Sequence, residues 1–132
     1  MPDIESVTMS EEGFACVSRV GDFEITVDAT GEQGPTAQQV LVADYASCYL
    51  PAFRVAARRM GHDDIGRVQI EAEADLDEDD DVAAVRFVIH VEADLDESEF
   101  DGLVERADDV CHVHDALREE LHADIDVYAE QF

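Results

Sequence analysis

Three cysteines are the residues of this 132-residue chain that could carry covalent or redox chemistry: Cys16, Cys48 and Cys111. The reactive form of cysteine is the thiolate, so any group that lowers the thiol pKa raises its reactivity. An odd number of cysteines argues against a framework of structural disulfides. Cys16 falls in an alternating stretch and is interpreted as a small core residue. Cys48 and Cys111 are therefore the candidates for thiol chemistry.

Cys48 lies inside a predicted helix. Thr36 and Gln39 fit a capping box, with Thr36 as the N-cap and Gln39 reaching back, and the helix is expected to run to about Met60. Pro51 removes one backbone donor inside it, so a kink is expected beside Cys48. Backbone N–H groups freed near a helix break can lower the pKa of a thiol. A cysteine that only packs in the core is the alternative reading of Cys48.

Cys111 is followed closely by His112 and His114. A neighbouring imidazole could help to ionise Cys111, and the same three residues raise the possibility of a metal site. A zinc site needs about four converging ligands, and the chain has neither a CxxC nor an HxxxH spacing. Metal binding is therefore the weakest hypothesis, and no metal ligand is predicted.

The elements that must position these cysteines follow from periodicity. Strands are predicted at about residues 14–20, 23–27, 68–74, 85–91 and 125–128, and helices at about 37–60, 100–107 and 113–121. Gly21-Asp22 predicts a hairpin, and a further strand before Phe14 is left open. Because the strands come in pairs rather than alternating singly with helices, the pattern favours an α+β fold with antiparallel sheets. No repeat or linker interrupts it, so residues 1–132 are predicted to form a single domain.

The charge is strongly negative. Asp and Glu number 34 against 8 basic residues, all of them Arg, for a net charge of −26. Such a surface repels itself, and molar salt screens the repulsion because the Debye length falls to about 3 Å. A halophilic protein in a high-salt cytoplasm is predicted. An acidic domain that binds a basic partner is the alternative, but acid spread along the whole chain favours the first reading. Binding to nucleic acid or to an anionic membrane is excluded.

Two segments resemble the OsmC/Ohr family of thiol-dependent hydroperoxide reductases. Residues 34–49, GPTAQQVLVADYASCY, resemble the family helix P-x-E-L-L-L-A-A-x-A-S-C, and residues 54–61 fit its continuation. Residues 110–113, VCHV, resemble the second cysteine segment, and the separation of 63 residues between Cys48 and Cys111 is in keeping with the family. The resemblance extends from about Phe14 to Tyr128.

This resemblance implies a fold and an activity. The OsmC-like fold is an intertwined homodimer in which antiparallel sheets surround a long buried central helix, with the active sites at the interface. Cys48 would be the peroxidatic thiolate that attacks the O–O bond of an organic, lipid-type hydroperoxide. Its sulfenic acid would condense with Cys111, and an external dithiol would reduce the resulting disulfide. No cofactor is expected, because sulfur performs the redox step.

Two positions bear on how active such a protein would be. The family glutamate ten residues before the first cysteine is Gln38 here, which cannot hold an arginine by charge. The family also uses an arginine from the N-terminal strands, and Arg19 is the only arginine in that region. Arg19 either reaches the site or is an exposed strand residue. The alternative function is a non-catalytic or divergent OsmC-like stress protein that binds a small apolar ligand.

Overall fold

The computed structural model describes residues 1–132 throughout, and the predicted α+β class is confirmed. The chain falls into two compact units, residues 1–41 and 42–132, each of which is described by itself. The strands are β1 (Ser6–Met9), β2 (Ala15–Val20), β3 (Phe23–Asp28), β4 (Val68–Leu76), β5 (Val82–Val91) and β6 (Asp124–Tyr128). The helices are α1 (Ala37–Arg59), α2 (Phe100–Val110) and α3 (His112–Ala116), with 3₁₀ turns at Glu97–Glu99 and Glu119–Leu121.

The first unit is built on an antiparallel sheet in the order β1-β2-β3. Strand β1 is the further strand before Phe14 that the sequence left open. Val20 pairs with Phe23 across the two-residue turn at Gly21-Asp22, and the positive φ of Gly21, 59°, suits a hairpin turn that L side chains disfavour. The predicted hairpin is therefore confirmed. Every residue of β1 is exposed, and much of the apolar surface of this sheet faces solvent.

Helix α1 begins and ends at the predicted signals. The backbone N–H of Gln39 donates to Oγ1 of Thr36 at 3.2 Å, and the N–H of Thr36 donates to Oε1 of Gln39 at 2.9 Å, which completes the capping box. At the other end, His62 N–H donates to the Ala57 carbonyl across Gly61, whose φ is 94°. This closure is a Schellman motif. The helix is continuous across Pro51, and the kink expected there stays a prediction.

The second unit holds the core beneath the sheet β4-β5-β6. Strands β4 and β5 pair antiparallel, whereas β6 pairs parallel to β5, a direction that the sequence pattern did not indicate. Strand β5 contributes Phe87 and Ile89, both fully buried, to the hydrophobic cluster. One face of α1 supplies the opposing side chains, which are Tyr45, Tyr49, Ala52, Phe53, Ala56 and Ala57.

The helix predicted to carry Val113 through Leu121 is shorter than expected. Helix α3 ends at Ala116, and Leu117 and Arg118 are extended, with ψ angles of 146° and 153°. In a continued helix the Leu117 carbonyl would accept the N–H of Leu121. Instead that carbonyl lies 3.1 Å from Nε2 of His122, and the Leu121 N–H donates to Arg118. None of the helices is both long and apolar enough to span a bilayer.

Candidate functional site

Cys48 and Cys111 lie together in the second unit, where their side chains interact. Cys48 is on α1 and is partly buried, whereas Cys111 is 1% exposed. Cys111 is extended, with φ −74° and ψ 110°, and it separates α2 from α3. Its Sγ accepts the backbone N–H of His114 at 3.4 Å and so caps α3. The thiols that the sequence selected are therefore neighbours, and both are reduced.

The surroundings of Cys48 favour its thiolate. Desolvation raises the pKa of Cys48, but three interactions together outweigh it. The backbone N–H groups of Val113 and His112 and the side chain of Cys111 each stabilise the negative sulfur. The pKa of Cys48 is therefore lowered from its ordinary value. From the sequence we expected N–H groups freed near Pro51 to lower this pKa. The N–H groups that lower it lie instead at the start of α3.

The surroundings of Cys111 favour its neutral thiol. Burial raises the pKa of Cys111 to about 11, and the interaction with Cys48 adds to the rise, although the His114 N–H opposes it. In such a pair, the thiol that ionises more easily can act as the nucleophile, and the second thiol can then form a disulfide with it.

Two tyrosines of α1 flank Cys48 and reach the chain on either side of Cys111. The Tyr45 hydroxyl lies 2.6 Å from Nδ1 of His114 and accepts the Ala123 N–H at 3.0 Å. The Tyr49 hydroxyl lies 2.8 Å from Oδ1 of Asp108 and 3.1 Å from the Val104 carbonyl. The sequence analysis selects neither tyrosine as a site residue. The only signal in the sequence was their spacing of four, which places both rings on one face of the helix.

His114 is a buried member of this polar group, with 9% exposure. Its ring stacks on that of His122 with centroids 3.8 Å apart, and its Nδ1 lies 3.9 Å from Oδ1 of Asp108. Burial lowers the pKa of His114; Asp108 opposes the shift and His122 reinforces it. The imidazole is therefore held neutral, and its Nδ1 accepts the proton of the Tyr45 hydroxyl.

Arg19, Gln38 and Cys16 belong to the first unit. Arg19 is an exposed residue of β2 whose guanidinium pairs with Glu24 at 2.9 Å. Gln38 lies in the first turn of α1 and is partly buried. Cys16 is partly exposed on β2, opposite Val27, rather than buried in a core as the sequence suggested.

Metal ligation finds no support at Cys111, His112 and His114, whose ligand atoms do not converge. The ring of His114 is engaged with Tyr45, and His112 is exposed. Ligand atoms converge instead at Asp77, Asp79 and Asp81, which are all exposed in the β4–β5 turn. Oδ1 of Asp77 accepts the backbone N–H groups of Asp79 and Asp81 there, so the turn itself draws these residues together.

A groove of about 770 Å³ crosses the sheet of the first unit. Its lining mixes apolar side chains such as Met9 and Phe14 with carboxylates such as Glu11 and Glu24. Met9 is 63% exposed and Phe14 is 74% exposed, so this apolar surface is open.

Comparison with known families and curated proteins gives two matches. The model of the OsmC-like protein family matches residues 23–126 of the chain. An uncharacterised protein of Haloferax volcanii is 54% identical over 132 residues, which are 100% of each chain.

Solved structures show the same fold. An OsmC-like protein from Mycoplasma pneumoniae superposes with a TM-score of 0.79 at 17% identity, covering 98% of this chain and 96% of its own. An organic hydroperoxide resistance protein OsmC from Legionella pneumophila gives 0.72 at 20% identity, with 96% and 98% covered. The organic hydroperoxide resistance protein OhrB of Bacillus subtilis gives 0.70 at 20% identity, with 94% and 98% covered. The OsmC-like fold of the single chain is confirmed, and the homodimer stays a prediction.

Proposed function

This chain belongs to the OsmC-like protein family, and from that membership we propose that it is a thiol-dependent peroxidase of organic hydroperoxides. The observation that carries the proposal is the pairing of a Cys48 thiol of lowered pKa with a Cys111 thiol of raised pKa. Two relatives of the same fold are described as organic hydroperoxide resistance proteins. The family motif and the local electrostatics therefore select the same residue as the nucleophile.

In the first step the Cys48 thiolate attacks the terminal, hydrogen-bearing oxygen of the hydroperoxide. The S–O bond forms as the O–O bond breaks, the alkoxide leaving group takes a proton, and the products are an alcohol and a Cys48 sulfenic acid. Sulfur is oxidised and the peroxide is reduced by two electrons. The N–H groups of Val113 and His112 favour the attacking thiolate.

In the second step Cys111 attacks the sulfur of the Cys48 sulfenic acid. The S–S bond forms, the S–O bond breaks, and the hydroxyl leaves as water with the thiol proton. An external dithiol then reduces the Cys48–Cys111 disulfide by thiol–disulfide exchange and is itself oxidised to a disulfide. The interaction between the two side chains supports this step, because it places the two thiols near each other.

We assign Arg19 and Gln38 to the same reaction by the family pattern. Arg19 would stabilise the thiolate and orient the peroxide, and Gln38 would take the place of the family glutamate by hydrogen bonding. An amide attracts a guanidinium less strongly than a carboxylate does. Gln38→Glu is accordingly expected to raise the peroxidase rate, and Arg19→Ala to lower it.

The proposal includes a homodimer. The first unit exposes Phe14, Phe23 and Ile25 at 74%, 76% and 42%. Apolar surface of this extent on a folded chain marks an interaction surface. Sedimentation in molar KCl measures the mass directly, and a monomer at micromolar concentration would contradict this part of the proposal.

We further propose a halophilic protein of a high-salt cytoplasm. Its charge of −26 supports this, as does a 54% identical relative from the halophilic archaeon Haloferax volcanii. The four arginines Arg19, Arg67, Arg86 and Arg118 already pair with carboxylates. With 34 carboxylate residues and 8 arginines, most carboxylates cannot have an arginine of their own.

The test is oxidation of the purified protein in molar KCl with one equivalent of cumene hydroperoxide, followed by mapping of the cysteines by mass spectrometry. A Cys48–Cys111 disulfide should form rapidly, and Cys48→Ser should abolish it. Cys16 serves as the internal control. If the pair is oxidised no faster than Cys16, the peroxidase proposal fails.

A non-catalytic protein that binds a small apolar ligand is the second candidate, favoured by the open groove of the first unit and by Gln38. Native mass spectrometry of the freshly purified protein would reveal such a ligand. Retention of that ligand by Cys48→Ser, together with no peroxide turnover in the parent protein, would favour this candidate.

A further inference from the structure

Tyr45 and Tyr49 contact the Cys111 segment at symmetric positions. Tyr45 hydrogen-bonds His114, three residues after Cys111, and Tyr49 hydrogen-bonds Asp108, three residues before it. Both tyrosines stand on α1 within three residues of Cys48. The segment that carries one thiol is thus fastened on both sides to the helix that carries the other.

The phenols are held rigidly enough to act as anchors. Tyr45 is 1% exposed and Tyr49 is fully buried. The ring of Phe87, on β5, packs edge-on against both, at centroid distances of 4.7 Å and 5.4 Å. Buried rings packed in this way have little freedom, so their hydroxyl groups stay in place.

The direction of each hydrogen bond follows from its partners. The Tyr45 oxygen accepts the Ala123 N–H, so its own proton goes to Nδ1 of His114. The Tyr49 hydroxyl donates to the Asp108 carboxylate. Burial raises the pKa of Tyr45 to about 12 and also raises that of Tyr49, so both phenols keep the proton that they donate.

His114 links this anchoring directly to sulfur. Its side chain accepts from Tyr45, while its backbone N–H donates to Sγ of Cys111 at 3.4 Å. The next N–H groups toward Cys111, those of Val113 and His112, interact with Cys48. A shift of His114 would therefore disturb both thiols at once.

We propose that Tyr45 and Tyr49 are positioning residues that clamp the Cys111 segment against α1 through His114 and Asp108 and so hold the two thiols in register. The inference rests on the proposed function for its purpose, since a held pair serves disulfide formation. Neither tyrosine is assigned a contact with the peroxide. We assign their effect on the sulfurs to the segment that they fasten.

The test uses Tyr45→Phe and Tyr49→Phe, which keep the rings and remove only the hydroxyl groups. Tyr128→Phe is the matched control, because Tyr128 is the third tyrosine and is 50% exposed on β6. A Cys16→Ser background leaves only the Cys48–Cys111 pair to titrate. All variants are studied in molar KCl, and circular dichroism checks that each is folded.

Two measurements report on the pair without any peroxide. The first is the equilibrium between dithiol and disulfide in dithiothreitol buffers. Its equilibrium constant should shift toward the dithiol by about tenfold in Tyr45→Phe and in Tyr49→Phe, because each variant loses a buried hydrogen bond that holds the Cys111 segment. The second is the pH dependence of Cys48 alkylation, whose midpoint should rise as the N–H groups of Val113 and His112 move away. Loss of general stability alone would not move that midpoint.

Asp108→Ala provides a second route that avoids the core, since the Asp108 side chain is 35% exposed. It should reproduce the effect of Tyr49→Phe on both measurements. If Tyr45→Phe, Tyr49→Phe and Asp108→Ala all match Tyr128→Phe, the clamp is wrong. Shifted equilibria in a protein that does not react with cumene hydroperoxide would support the clamp and refute the peroxidase. Unchanged equilibria in a protein that reduces cumene hydroperoxide would refute the clamp and support the peroxidase.

Discussion

The two three-stranded sheets differ sharply in what covers them. On β3 of the first unit, Phe23 is 76% exposed and Ile25 is 42% exposed. On β5 of the second unit, Phe87 and Ile89 are completely buried. Both strands place apolar residues at every second position, with the period of two that defines a sheet face. Alternation therefore tells which residues share a face and leaves open whether another layer covers it.

The cover of the second sheet comes from its own unit. The buried stripe of α1 and the β5 side chains belong to one hydrophobic cluster. No such cluster forms on the first sheet, where apolar side chains of β1, β2 and β3 stay exposed in the whole chain. We propose that a second protomer covers the first sheet. The dimer interface is therefore assigned to the first unit, and the thiol pair lies in the second.

The largest expected effect separates the cysteines of the two units. Cys48→Ser and Cys111→Ser should each lower steady-state turnover of cumene hydroperoxide by about a thousandfold or more, because neither a serine nucleophile nor an unresolved sulfenic acid completes the cycle. Turnover is followed by coupling to oxidation of a dithiol. Cys16→Ser should stay within about twofold, as a side chain outside the pair has no step to perform.

The two inactive variants differ in a way that tests their roles. Cys111→Ser should still react once with peroxide and accumulate a sulfenic acid that dimedone traps on Cys48. Cys48→Ser should trap nothing. Trapping on Cys111 instead, or full turnover without Cys111, would reverse the assignment that the two thiol pKa shifts support.

Local signals in the sequence predicted much of this fold. The Thr36–Gln39 capping box, the turn at Gly21-Asp22 and the helix end near Met60 each appear in the structure. Every one of these features is decided by residues within a few positions of one another, where side-chain chemistry and backbone conformation act directly. The pairing of the two cysteines came from the family resemblance rather than from periodicity.

What the sequence missed depends on distant partners. Strand β6 alternates plainly, but its parallel pairing with β5 depends on the path of the chain before it. Tyr45 and Tyr49 look like ordinary core residues because their rings are apolar, and their hydroxyl partners lie 69 and 59 residues away along the chain. The His112 and Val113 N–H groups near Cys48 were hidden for the same reason. Polar contacts of this kind leave no local pattern.

The second prediction compares the two sheets by truncation. Ile89→Ala should lower the free energy of unfolding by about 3 kcal/mol, because it leaves a cavity in a closed core. Ile25→Ala should cost less than about 1 kcal/mol in the monomer, since its side chain is partly exposed already. Urea unfolding in molar KCl measures both, and the midpoints are compared at equal slope.

Protein concentration supplies the control for that comparison. If the first sheet lies in a dimer interface, the cost of Ile25→Ala should grow with protein concentration over the range in which the parent protein dimerises. The cost of Ile89→Ala should persist in the monomer as well. A concentration-independent loss of about 3 kcal/mol for Ile25→Ala would show that the first sheet is covered within one chain.

The third prediction concerns salt, which should act on both sheets. Raising KCl from about 0.2 M to about 3 M should raise the Tm by roughly 10 °C, because screening relieves repulsion among the many carboxylates. Asp79→Asn combined with Asp80→Asn, in the acidic β4–β5 turn, should raise the Tm at low salt more than at high salt. An equal gain at both salt concentrations would argue against charge repulsion as the cause.

The smallest effect compares two histidines of one short helix, the buried His114 and the exposed His112. Burial lowers the pKa of His114, against Asp108, Asp109 and Asp115, which raise it, while His122 lowers it further. The unfolded chain, with a histidine pKa near ~6.5, then binds a proton before the folded chain does. The free energy of unfolding that the neutral ring contributes is complete above that pH and declines as the pH falls below it.

The unfolding free energy should therefore drop between pH 7.5 and pH 5.5 by more in the parent protein than in His114→Gln, whereas His112→Gln should follow the parent. Urea unfolding at each pH, in constant molar KCl, measures the three slopes. Equal slopes for His114→Gln and the parent would mean that burial does not hold the ring neutral.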